Sequence, residues 1–240
     1  MMSKPHTNHL LAAVPAEEME VLRPDLETVP LAFKQVLYEP ERPIEQVYFP
    51  HRGVVSLVTE MEDGSSVEVA TVGPEGIVGL PVFLGDTTIA GRAFAQVPGE
   101  AARMNADAFR RALGRCPKLH QLLSRYTLAL LNLLAQNGAC NRSHSVEERL
   151  ARWLLMTQDR VHAPTFPMTQ EFMAQMLGVS RPTVSTTASI LQKAGFITYA
   201  RGQINVTDRP GLEAASCECY RVIRKHFDRL VGSEPSNLCE

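Results

Sequence analysis

Arg181 is followed by Pro182 and then by four hydroxyl side chains, Thr183, Ser185, Thr186 and Thr187. A guanidinium carries a rigid fork of donors, and short hydroxyls donate or accept at close range. Grouped at the start of a helix, these types suit a surface that reads base edges or grips phosphates in the DNA major groove. Other residues that could do chemistry are poorer candidates. A metal-dependent enzyme of the cupin type needs a His/Glu/Asp cluster on adjacent strands. His51, Glu68 and Glu75 are the candidates in the strand-rich region, and they lack ligand spacing such as His-x-His; surface residues and loop caps are the simpler reading. The five cysteines are odd in number and scattered, which argues against a disulfide framework. Cys217 and Cys219 fall in an expected helix, where residues two apart point to different sides, so ordinary helix residues are expected there. No N-terminal cysteine cluster of the iron–sulfur kind is present. No catalytic residue, metal or cofactor is therefore expected.

The elements that must position Arg181 are legible around it. Thr169 is an N-cap with Glu171 in the first turn of a helix running to Leu177. Gly178 supplies a sharp turn, and Ser180 caps a second helix with Pro182 near its start. Phe172, Met176, Val179, Val184, Ile190 and Leu191 are the apolar positions that lock the two helices, leaving Arg181, Thr183, Ser185, Thr186 and Thr187 to face outward. Gly195 ends the second helix. FITYARGQINVTD then reads as two short strands around Arg201-Gly202. Helix, turn, helix, hairpin is the order of a winged helix-turn-helix. Thr169, Gln170, Ser180, Arg181, Pro182, Thr183, Ser185, Thr186, Thr187, Arg201 and Gln203 are its candidate DNA-contacting residues.

Length and charge agree with that placement. The 240 residues, 45% hydrophobic and 21% charged, suffice for one large or two ordinary domains. No apolar run reaches the ~18 residues a membrane helix needs, and no signal peptide is recognisable at the N-terminus. A cytoplasmic protein is the expectation. The net charge is −2, yet residues 1–140 carry 12 Lys and Arg against 16 Asp and Glu, and residues 141–230 carry 12 against 8. The positive part contains the helix-turn-helix, as phosphate binding requires.

Residues 28–104 hold short apolar segments: QVLYEP, EQVYFP, GVVSLVTEM, SSVEVATV, GIVGL, RAFAQVP and EAARM. EDGSS reads as a hairpin turn, and the spacing predicts a sandwich, jelly roll or barrel. Val47, Phe49, Val55, Leu57 and Val58 are its expected inward bulk. Asn105-Ala-Asp107 opens a short helix that stops at Cys116-Pro117. A long helix follows, on which Leu119, Leu122, Leu123, Tyr126, Leu130, Leu133, Leu134 and Asn137 recur at steps of three and four. That stripe fits a helix packed on its own barrel, but it is wide for a single contact, so one face on the barrel and a dimer seam along Leu122, Tyr126, Leu130, Leu133, Leu134 and Asn137 are expected. The helical signal breaks near residues 141–145, the expected hinge, and Ser145 with Glu148 caps the next helix. Its expected buried face is Val146, Leu150, Trp153, Leu154 and Met156. Asp208 and Pro210 open a closing helix to Val231, and the tail is expected to be disordered.

Taken together, this order resembles the Crp/Fnr family of bacterial transcription regulators over nearly the whole chain. QEFMAQMLGVSRPTVSTTASILQKAGFI carries the resemblance most specifically, with its Gly-x-Ser-Arg-x-x-Val turn; Val47-Tyr-Phe-Pro-His-Arg-Gly53 is a looser match. The fold implied is a two-domain α+β chain with an N-terminal jelly-roll β-barrel, a long dimerisation helix and a C-terminal winged helix-turn-helix. Its parts would be a helical lead-in at 1–27, a cyclic-nucleotide-binding-like barrel at 28–116, the dimerisation helix at 117–142, the DNA-binding domain at 145–231 and the tail at 232–240. The resemblance implies a homodimer on a pseudo-palindromic operator of double-stranded DNA, acting with RNA polymerase. It also implies that Arg181 reads a guanine. The family's usual glutamate is replaced by Pro182 and a second frequent arginine by Thr186. Cyclic-AMP-binding relatives use Gly-Glu and Arg-Ser pairs; the matching residues here are Gly79, Leu80, Arg92 and Ala93. Leu80 cannot accept from a ribose hydroxyl, and Ala93 has none to offer. A different small effector, or none, is expected. The alternatives are a cyclic-nucleotide-sensing regulator, a cupin-like metal-dependent enzyme, and a nucleotide-sensing adaptor that does not bind DNA.

Overall fold

A computed structural model describes residues 8–62 and 64–232. They fall into two compact units. The first is built from residues 1–57, 71–132 and 225–240, the second from 58–70 and 133–224. Residues 233–240 of the expected tail, residues 1–7 of the lead-in and Asp63 of the expected EDGSS turn lie outside the described residues.

In the first unit, Asn8 caps α1 (His9–Ala12). Its side-chain oxygen accepts from the Leu10 and Leu11 amides, while its amide nitrogen donates to the Pro50 and Gly76 carbonyls at 3.1 and 2.8 Å. After α2 (Ala16–Leu22) come β1 (Glu27–Leu31), β2 (Val36–Tyr38), β3 (Gln46–Glu60), β4 (Ser66–Val72), α3 (Leu80–Leu84) and β5 (Gly91–Asn105), with residues 58–60 of β3 and 66–70 of β4 counted in the second unit. The sheet order is β1-β5-β3-β4, with β2 also on β5. Residues 99–103 of β5 pair with β1 and residues 93–94 with β2, both antiparallel.

Four expectations change here. The sheet does not close into a barrel: its path ends at β1 and β4, and the two are not paired among the described residues. EQVYFP and GVVSLVTEM are one continuous strand, as are RAFAQVP and EAARM. Glycines that read as breaks are points of close approach instead. Gly53 has φ +90°, and a Cβ on it would lie 2.6 Å from the Val97 carbonyl oxygen; one on Gly99 would run into the Arg52 carbonyl. GIVGL is not a strand. It makes a single bridge, Tyr48 to Val78, and then turns through left-handed Gly79 into α3. Val47, Phe49, Val55 and Val58 are buried as expected, whereas Leu57 is only half-buried and Val54 joins the core. Phe49 meets Phe109 edge-on at 6.1 Å between centroids.

Phe109 lies on α4 (Ala106–Leu113), capped by Asn105, and α5 (Pro117–Ser143) follows. Leu119, Leu122, Leu123, Tyr126 and Leu130 are buried within the chain. Tyr126 sits against Gly76, where no Cβ would fit, and meets Phe227 edge-on.

The second unit is organised around α6 (Val146–Val161). Ser145 and Glu148 form the expected capping box, and the Ser145 hydroxyl and amide hold the Glu148 carboxyl below its usual range. A depressed carboxyl stabilises above its unfolded value, so the box supports α6 at neutral pH and is lost as pH falls through the lowered value. Leu150, Trp153, Leu154 and Met156 are buried as expected, and Val146 is half-buried. Arg149, Arg152 and Arg160 are buried too, so α6 is enclosed well beyond an amphipathic stripe. β6 (Thr165–Pro167), α7 (Gln170–Leu177), α8 (Arg181–Lys193), β7 (Ile197–Ala200) and β8 (Gln203–Val206) then form the winged motif. β6 has no sequence counterpart in the expectations and pairs with β8, giving the order β6-β8-β7. The single closing helix is in fact two, α9 (Arg209–Ala215) and α10 (Cys219–Val231), because the chain becomes extended at Ser216; residues 225–231 of α10 are counted in the first unit. Arg209 fixes α9 by bonds to Gln158, Asp159 and Tyr220 at 2.8, 2.7 and 2.6 Å. Burial and the Asp159 carboxylate push the Tyr220 hydroxyl up to about 12, so it stays a donor to Asp159.

Candidate nucleic-acid interface

The motif's local geometry follows from its caps. The Thr169 hydroxyl accepts from the Phe172 amide at 3.1 Å to begin α7. Gly178, at φ +63°, ends it with its amide on the α7 carbonyls. The Ser180 hydroxyl accepts from the Thr183 amide at 3.3 Å and pairs with the Thr183 hydroxyl at 2.8 Å, starting α8. Arg181 and Pro182 occupy its first two positions, where a missing N–H costs nothing. Replacing Ser180 by Ala should cost about 1 kcal/mol of stability, read as a lower denaturation midpoint at unchanged slope.

Phe172, Met176, Val184 and Leu191 lock the helices as expected, and Val179 is half-buried. Ile190 is 44% exposed and does not belong to that core. A contact the sequence did not suggest closes the turn. Arg149 of α6 donates to the Leu177 carbonyl at the end of α7, giving that buried oxygen a charged partner.

On the solvent side, Arg181, Pro182, Ser185 and Thr186 are exposed and Thr183 is half-buried. Arg181 makes no hydrogen bond or ion pair among the described residues, so its fork is uncommitted. Thr187 corrects the expectation of an outward hydroxyl. It is 6% exposed and donates back to the Thr183 carbonyl at 2.9 Å, one turn earlier. Ser189 and Lys193 are exposed and complete the outer face with Pro182, Ser185 and Thr186. They could have been found by extending the helical period by two further steps. Gln170, half-buried, donates to Ser185 at 3.4 Å and couples α7 to that face.

The wing is a two-residue hairpin. Arg201 and Gly202 have φ +51° and +73°, the double left-handed turn whose twist suits paired strands. Arg201 and Gln203 are exposed at its tip. The wing is joined to the recognition helix where the Tyr199 amide donates to the Gln192 side chain at 2.8 Å. An exposed helix face with an uncommitted arginine and hydroxyls, beside a hairpin that carries Arg201, has the chemistry of a major-groove reader with a backbone clamp.

A model of the Crp-like helix-turn-helix domain matches residues 148–215, and one of the cyclic nucleotide-binding domain matches residues 29–116. The chain belongs to the Crp/Fnr family of transcription regulators. It is 29% identical over 215 residues to the transcriptional regulatory protein Btr of Bordetella pertussis, covering 83% of this chain and 86% of that one. Its fold is similar to that of FixK2 from Bradyrhizobium japonicum, with TM-score 0.68 at 20% identity, over 80% of this chain and 98% of the other. The c-di-GMP responsive global regulator CLP of Xanthomonas campestris gives 0.66 at 15%, over 80% and 99%. A Crp/Fnr regulator with a DNA-binding helix-turn-helix and a cyclic-nucleotide-binding-like domain is thus the class of this protein.

The other expected site residues fare differently. Gly79 has φ +97° and caps α3; Leu80 and Ala93 are buried apolar groups; Arg92 is paired with Glu39 at 2.8 Å. Of the residues expected in the dimer seam, Leu122, Tyr126, Leu130 and Leu133 are buried in their own chain. Asn137 donates to the Val69 carbonyl at 2.9 Å and accepts from Arg152 at 2.8 Å. Leu134 alone of that set is exposed, at 37%. The cupin candidates each have a hydrogen-bond partner within the protein. The His51 ring accepts from the Asn8 amide at 3.2 Å, Glu68 accepts from the Trp153 ring at 2.7 Å, and Glu75 accepts from the Gly73 amide at 3.2 Å. No helix among the described residues is long and apolar enough to cross a membrane.

Proposed function

We propose that this regulator acts in the cytoplasm as a homodimer on a pseudo-palindromic operator, with Arg181 reading a guanine in each half-site. The observation that carries this is the uncommitted Arg181 at the first position of a capped α8. Ser185, Thr186, Ser189 and Lys193 continue the recognition face. Thr169, Gln170, Ser180, Pro182 and Thr183 set its N-terminal edge, and Arg201 and Gln203 meet the backbone. Thr187 supports the helix from inside.

The dimer seam runs along the exposed side of α5. Ser124, Leu128, Leu131, Ala135 and Gly138 are all exposed and recur at alternating steps of four and three, the spacing of a coiled-coil seam. Leu128 and Leu131, one turn apart, are 47% and 57% exposed, apolar surface that a partner helix would cover. Leu134 flanks this line. The small residues toward its end let two helices approach closely.

The protein is not an enzyme in this reading. It acts on transcription through RNA polymerase. A small effector other than a cyclic nucleotide held by a Gly-Glu and Arg-Ser cassette tunes DNA affinity, since Leu80 and Ala93 offer no polar group to a ribose phosphate. The cassette-based, cupin and adaptor readings have no comparable support.

Footprinting of the full chain on genomic fragments tests the proposal. Discrete protected sites are expected, weakening by about 10³–10⁵ in affinity between 50 and 200 mM salt if the dimer neutralises roughly 6–10 phosphates. Absence of any protected site at low salt contradicts it.

A further inference from the structure

The second unit contains a cluster that transcription-factor chemistry does not use. Cys140 lies on the last turns of α5, and His144 follows one turn later, its amide bonded to the Cys140 carbonyl at 3.0 Å. Cys217 lies in the break between α9 and α10, and Cys219 is the first residue of α10. Because the chain is extended at Ser216, the two sulfurs of Cys-x-Cys turn the same way, which a continuous helix would forbid. All three cysteines are buried, and the four ligand-type atoms lie within 4.8 Å of one another.

We propose that Cys140, His144, Cys217 and Cys219 form a structural zinc site. With Zn–S near 2.3 Å and Zn–N near 2.0–2.1 Å, a tetrahedral ion sets ligands about 3.8 Å apart for two sulfurs and about 3.6 Å for sulfur and nitrogen. The Cys140 and Cys217 sulfurs are 3.5 Å apart, and the Cys219 sulfur is 3.6 Å from His144 Nδ1. Little adjustment would centre an ion among them.

The surrounding groups have the outer-shell roles that such a site needs. Glu218 lies 3.1 Å from His144 Nε2, which fixes the proton there and turns the Nδ1 lone pair toward the sulfurs. The Gln136 amide donates to the Cys219 sulfur at 3.0 Å. Three thiolates around a dication leave one net negative charge, and a buried charge needs a counter-charge. Buried Arg149 and Arg152 supply it, and the Arg152 charge acts on both Cys140 and Cys217. Four protein ligands close the coordination shell, so the ion is structural, and thiolate-rich donors favour zinc over magnesium or calcium. Binding would release the three thiol protons. It would staple the last turn of α5 to the α9–α10 junction, making metal affinity part of folding stability.

Elemental analysis of the full chain, purified without chelator or histidine tag under reducing conditions, tests this. A colourless protein with about one zinc per protomer is expected, released when a mercurial blocks the thiols. Cys217→Ser with Cys219→Ser should lower bound zinc at least about tenfold. His144→Cys should remain fully loaded, since four thiolates also hold zinc, and this variant decides the matter if the double serine variant does not fold. Metal-free wild-type protein whose melting temperature is unmoved by added Zn²⁺ overturns the proposal. So do stoichiometric iron, a Cys140–Cys217 disulfide, or a zinc-loaded wild type beside an empty His144→Cys variant.

Discussion

Arg181→Ala should collapse the affinity gap between a matched operator and random duplex while leaving the fold intact. A bidentate arginine–guanine pair contributes about 1–3 kcal/mol of discrimination, and a homodimer makes two of them. The expected loss is therefore about 2–6 kcal/mol, or from tens-fold to about 10⁴-fold in specific affinity. Nonspecific binding should fall much less, because it sums phosphate contacts from several cations. Arg181 is exposed and makes no hydrogen bond or ion pair among the described residues, so its removal leaves no buried group unpaired. Titration of labelled duplexes, matched and with the guanine changed, measures both quantities. If the matched-to-random ratio is unchanged, the readout lies on Ser185, Thr186 and Ser189 instead.

Leu154→Ala should act the opposite way, through stability alone. Leu154 is fully buried on α6, the helix on which α7, α8 and α9 are assembled. Truncating it removes transfer energy and leaves a cavity, a cost of about 2–5 kcal/mol. Denaturant titration should show a lower midpoint with little change in slope. Leu154 faces no base, so specificity at a temperature where the variant is folded should be retained. A midpoint near the wild-type value would mean that α6 is not the scaffold of the reading head.

These two residues mark what was legible in the sequence. Arg181 and Leu154 are placed by local signals: the caps at Thr169 and Ser180, the left-handed Gly178, and a 3.6-residue period. Long-range partners were not legible. Nothing around Arg149 announces that it will be buried under the Leu177 carbonyl. Thr187 looks like its neighbouring hydroxyls until its bond back to Thr183 is seen. The long helix α5 is apolar on several sides, and sequence cannot say which stripe faces its own chain; the inner one took Tyr126 and left Leu128 and Leu131 outside. Gly53 and Gly99 read as breaks because the requirement they meet, close backbone approach, is set by a partner strand about 45 residues away. The break at Ser216 lacks proline or glycine within it, so the convergence of Cys217 and Cys219 was hidden.

The most direct test of the central claim is selection of bound duplexes from a random-sequence pool by the full chain. Enrichment of a twofold-symmetric motif is expected, its half-sites about 10–10.5 base pairs apart centre to centre or a multiple of that, each with a guanine whose enrichment disappears with Arg181→Ala. Binding without sequence enrichment, or enrichment of a single asymmetric site, would contradict it.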